Sequence, residues 1–140
     1  MKKMNSTICA MALLLLVFVQ PVYASSYNTT LKMSAGTYQY CSNNYRKFDG
    51  NSITMLIDLD VYGSVYSDNS QARLKASLYR KTTFSRSYIS YQKYEPGTTK
   101  KTWSNVGPGK YVWSFDKECG DYRDTHYYTV FESDNVKMYN

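Results

Sequence analysis

The period of two across residues 52–62 limits this chain more than any other feature. Ile53, Met55, Ile57, Leu59 and Val61 alternate with Thr54, Asp58, Asp60 and Tyr62, and only Leu56 breaks the polar series. Side chains alternate between two faces in an extended strand, so the pattern predicts a strand with one buried and one wet face. Residues 71–79 repeat it, with Ala72, Leu74, Ala76 and Leu78 on one side and Arg73, Lys75, Ser77 and Tyr79 on the other. Charge suggests joining the two runs as a hairpin. Asp60 opposite Arg73 also sets Asp58 opposite Lys75, with Leu59–Leu74, Ile57–Ala76 and Met55–Leu78 pairing on the buried side.

The run from Trp103 to Phe115 adds a second constraint. Two aromatic-rich alternating segments flank Gly107-Pro108-Gly109. Proline fixes its own φ and cannot donate to a ladder, and glycine lets the chain reverse, so a strand–turn–strand is expected. Tyr111, Trp113 and Phe115 fall on one face, with Val112 and Ser114 on the other, which reads as core scaffold. The entry from Val106 to Tyr111 resembles the tyrosine corner of immunoglobulin-like sandwiches, a fold-level likeness only, since the Cys–Trp–Cys spacing of immunoglobulin domains is absent. Further strands are expected at 31–33, 38–40, 88–94, 125–132 and 136–139. Turns are expected at 42–52, 95–98 and Ser133-Asp134-Asn135, an acidic loop at 116–124, and a loose arm at 25–30. No segment after residue 24 shows a helical period. About seven or eight short strands separated by turns predict an all-β antiparallel β-sandwich, immunoglobulin-like in architecture, with a small closed β-barrel as the alternative.

The first 24 residues read as a secretory signal peptide. Lys2 and Lys3 precede an apolar core over Leu13–Val19, and Val22-Tyr23-Ala24 offers small residues for cleavage. That core is far shorter than the ~20 residues of a membrane span, so none is expected. Residues 25–140 then form a single secreted domain, and the Met-Lys-Lys start suggests a bacterial source. Removing Lys2 and Lys3 lowers the formal charge from +6 to +4, mildly basic. Two of the three cysteines remain, Cys41 and Cys119, and in an exported chain the simplest expectation is one disulfide between them.

Catalytic readings fail on inventory. His126 is the single histidine, and no Gly-x-Ser-x-Gly, phosphate-cradling or His-Glu-x-x-His pattern occurs. A non-enzymatic protein without metal or cofactor is expected. An enzyme would return to consideration if Asp116, Asp121, Asp124 and His126 converged. Tyrosine is the unusual component, with 16 in the chain. Residues 71–101 carry Arg73, Lys75, Arg80, Lys81, Arg86, Lys93, Lys100 and Lys101 against Glu95 alone, with tyrosines interleaved. Tyr79, Arg80, Lys81, Arg86, Tyr88, Tyr91 and Tyr94 are therefore the candidate binding residues. Cations beside exposed tyrosines suit an anionic or carbohydrate surface polymer or an extracellular protein. Nucleic acid is set aside because the chain is expected to be exported. The alternative function is a secreted effector, either a bacteriocin-like toxin or an inhibitor of an extracellular enzyme.

Overall fold

The computed structural model describes residues 25–37, 39–63, 72–118 and 129–140. The expected leader, 1–24, lies outside them. Nine strands occur among the described residues: β1 (Ser26–Met33), β2 (Gln39–Cys41), β3 (Arg46–Phe48), β4 (Ser52–Tyr62), β5 (Arg73–Lys81), β6 (Arg86–Tyr94), β7 (Gly97–Ser104), β8 (Gly109–Glu118) and β9 (Val130–Tyr139). They form two antiparallel sheets, one ordered β1-β9-β4-β7 and the other β2-β8-β5-β6, with β3 also on β8. Both sheets keep free edges, so the molecule is a β-sandwich and not a closed barrel. No described helix is long and apolar enough to cross a membrane.

The alternating runs lie where their period places them, but their partners differ from the sequence expectation. β4 pairs with β7 and β9, whereas β5 pairs with β6 and β8 in the other sheet. Asp58 thus faces Thr98 and Lys75 faces Asp116, not each other. Ile57, Leu59, Leu74, Ala76, Met55 and Leu78 all belong to the buried core. Period two tells which face is buried; strands stacked across a sandwich carry the same signal as strands side by side.

The Gly-Pro-Gly segment is likewise a crossing between sheets and not a hairpin, because β7 and β8 belong to different sheets. Asn105 and Gly107 take positive φ (58° and 72°) to make the crossing. The Tyr111 hydroxyl donates back to the carbonyls of Val106 (2.6 Å) and Gly107 (2.7 Å), the bond pattern of a tyrosine corner. Arg80 closes it from the other side: its Cζ lies 5.9 Å from the Tyr111 ring centroid, and Nη2 donates to the Pro108 carbonyl at 2.5 Å. A Cβ on Gly109 would come within 2.9 Å of Arg80 Nε, so the second glycine makes room for that guanidinium.

Edge-to-face rings fill the centre of the core. Trp113 packs against Phe48 (centroids 5.9 Å apart) and Trp103 (6.4 Å). Three further expectations are corrected. Residues 26–30 begin β1, paired to β9, and are not a loose arm. Ser133-Asp134-Asn135 is a bulge inside the continuous β9, shifting register against both neighbours, and is not a turn between strands. Asp116 and Lys117 belong to β8. Lys117 is buried, and its Nζ donates to the carbonyls of Ser34 (2.7 Å) and Thr129 (2.5 Å).

Candidate functional site

The outer face of the five-stranded sheet gathers most of the candidate residues. Pairing sets them in cross-strand rows. Gln39, Asp116, Lys75 and Lys93 form one; Cys41, Ser114, Ser77 and Tyr91 the next; then Val112, Tyr79 and Tyr88; and finally Lys81 with Arg86. A bulge in β6 between its pairings to Leu78 and Tyr79 makes this face possible. Without it, strict alternation would put Tyr88 and Tyr91 on opposite sides. The extra residue turns both outward, 53% and 47% exposed.

Four cations on this face lie over rings. Arg86 Cζ sits 4.6 Å from the Tyr79 centroid, Lys81 Nζ 5.3 Å from Tyr45, and Lys75 Nζ 5.0 Å from Tyr91. Lys93 also reaches Tyr91 (5.9 Å), but it pairs with Glu118 at 2.6 Å, which raises its pKa through that hydrogen bond and charge. Lys75, Lys81 and Arg86 have no carboxylate partner among the described residues. Exposed cation–π contacts contribute about 0.5–1 kcal/mol each and hold long side chains in place before any ligand arrives. Beneath them Ser77 and Ser114 are buried, and Ser114 Oγ has no hydrogen-bond partner among the described residues.

Two of the seven candidates do not belong to this face. Tyr94 is fully buried, its hydroxyl donating to the Met55 carbonyl at 3.3 Å, and burial pushes its phenol well above the ordinary range. Arg80 has the inward parity of Leu78 and is committed to the tyrosine corner. Tyr79, Lys81, Arg86, Tyr88 and Tyr91 remain. Lys75 and Lys93 join them from the same basic segment. Tyr45 was not foreseen, since it lies in a turn-rich connector far away in sequence and only the placement of β2 and β3 beside β8 brings it near.

The expected disulfide is not formed. Cys41 is an exposed, free thiol opposite Ser114 in the β2–β8 ladder, and Cys119 lies outside the described residues.

A cleft of about 50 Å3 opens between the sheets at the β1 and β2 edges, lined by residues that include Leu31, Tyr40, Arg46, Trp113 and Met138. That volume admits a water or two, against the ~300–1,000 Å3 of small-molecule sites. No group of three metal-ligating side chains occurs among the described residues. Asp116 accepts a hydrogen bond from Gln39 Nε2 at 2.7 Å, while Asp121, Asp124 and His126 lie outside the described residues. Neither a protein-family model nor a curated protein sequence matches the chain.

Proposed function

We propose that the protein is a secreted, non-enzymatic binding module whose five-stranded outer face grips an extended anionic polymer. The observation that carries this reading is the trio Lys75, Lys81 and Arg86, each set over a tyrosine ring and none paired to a carboxylate among the described residues. The geometry also favours an anion over a neutral sugar. A sugar platform would need several free aromatic faces, and a cation of the protein already lies over Tyr45, Tyr79 and Tyr91, which leaves Tyr88 as the exposed ring of this face without one. Lys75 and Lys81 stand six residues apart on β5, ~20 Å along the strand, a span suited to a chain of repeated charges better than to one small anion. Nothing among the described residues separately favours the secreted-effector reading.

The test is binding to poly(glycerol phosphate), with a neutral glucan beside it and an unrelated basic protein of the same net charge as control. Tighter binding than the control, absent with the glucan and weakened by salt, supports the reading. Retention equal to that of the basic control sinks it.

A further inference from the structure

At one end of the molecule the β5–β6 hairpin carries Phe84 at its tip, 98% exposed. The turn beneath it is closed by its own bonds. Thr82 N donates to the Ser85 carbonyl (3.0 Å), Ser85 N to Thr82 Oγ1 (3.1 Å), and the two hydroxyls meet at 3.2 Å. The backbone, and no side-chain packing, therefore holds Phe84 out. Tight two-residue hairpin turns prefer Gly, Asn or Asp, so an exposed aromatic there answers no demand of the fold. Directly below the turn Lys81 faces Arg86, and across the same end of the sheet lie Lys110, Lys47 and Arg46. No acidic residue occurs between Arg73 and Tyr94, and Lys47–Asp49 (3.1 Å) is the ion pair formed among these cations.

We infer that this tip is a wedge for an anionic lipid bilayer: Phe84 enters the interface while Lys81, Arg86 and Lys110 stay at the headgroup phosphates. The charge pattern selects an anionic surface, and the long basic side chains can keep their heads in water while the tip is immersed. Entry of backbone into the interface is opposed by unsatisfied polar groups, and the hydrogen bonds across Thr82 and Ser85 meet that requirement for the two residues that flank Thr83 and Phe84. A single aromatic gives only shallow, reversible attachment, so neither Phe84 nor the cations suffice alone. The tip lies beyond the polymer-binding rows, and the wedge stands or falls apart from them, although Lys81 and Arg86 serve both.

The full protein is mixed with phosphatidylcholine vesicles, with and without phosphatidylglycerol. Co-sedimentation is expected with the anionic vesicles only, and Phe84→Ser should weaken it about tenfold, from the lost burial of one aromatic side chain. Both native tryptophans are buried and emit in the wild type as well, so the F84W-minus-wild-type difference spectrum reports on position 84; its emission should move to the blue on anionic vesicles. Phe84→Ser should leave poly(glycerol phosphate) binding unchanged, which separates the wedge from the polymer site. Equal vesicle binding by wild type and Phe84→Ser, or unshifted F84W emission, overturns the inference. So would an emission shift seen only with a soluble protein partner.

Discussion

The two outer faces of the sandwich are built from similar strands yet hold their cations differently. On the four-stranded sheet several polar groups are matched across neighbouring strands, while Lys100 and Lys137, both opposite Leu56, have neither an ion pair nor a ring contact among the described residues. Thr54 meets Thr102 at 3.0 Å, Thr98 donates to Asp58 at 2.8 Å, and Glu132 receives both Lys32 (3.0 Å) and the Tyr62 hydroxyl. On the five-stranded sheet Lys75, Lys81 and Arg86 rest on rings instead of carboxylates. Surface pairs contribute little to stability, commonly 0–1 kcal/mol. The difference lies in placement: a cation that already holds a carboxylate must be stripped of it before it can hold a ligand, Lys100 and Lys137 are available but unplaced, and a cation on a ring is both available and already placed.

Charge reversal breaks this comparison most sharply. Lys75→Glu, Lys81→Glu and Arg86→Glu together should weaken polyanion binding at least ~100-fold, from about 1 kcal/mol per cation lost. The matched reversal of Lys32, Lys100 and Lys137 on the other sheet should change it severalfold at most. Equal losses from both triples would reduce the proposed site to net charge. A smaller effect separates scaffold from site. Tyr111→Phe removes the hydroxyl bonds to Val106 and Gly107. It should cost about 1–2 kcal/mol in denaturant unfolding and leave polymer affinity intact.

Cys41 probes the face chemically, because it shares a row with Ser114, Ser77 and Tyr91. It should alkylate without reductant, as mass spectrometry would show, and bound polymer should slow the reaction severalfold. The least effect belongs to the matched face. The Tyr62 hydroxyl, and after it Lys32, bond the Glu132 carboxylate and hold its pKa below the usual value near 4.5. A depressed carboxylate stabilises the fold above its unfolded pKa, and that stability is lost as pH falls through the folded value. Between neutral pH and mild acid the contribution stays; below about pH 4.5 it fades, and Glu132→Gln should flatten this small acid limb of thermal unfolding.

Much of the architecture was legible in the chain. Alternation at 52–62 and 71–79 marked the buried residues, and Val106–Tyr111 marked the tyrosine corner. Pairing was not legible, because facing strands and neighbouring strands bury the same alternate positions. The Asp58–Lys75 register was therefore wrong although every core residue in it was right. The site was half legible. Composition located the basic, tyrosine-rich stretch, but one inserted residue near Ile89 decides which tyrosines share a face, and propensity cannot register it. Tyr94 is misplaced for the same reason, whereas Arg80 keeps the plain alternation of β5 and is drawn to the tyrosine corner by Pro108 and Tyr111, which come from a distant segment. Phe84 shows no pattern at all in sequence; its meaning comes from standing at a tip with nothing against it.

The central claim is that polymer binding belongs to one face. Backbone amide shifts followed by NMR during titration with poly(glycerol phosphate) test it most directly. The account predicts that changes concentrate at Tyr45, Lys75, Tyr79, Lys81, Arg86 and Tyr91, while Thr54, Asp58, Thr98 and Glu132 stay still. Shifts spread evenly over both faces, or gathered on the four-stranded sheet, would contradict it.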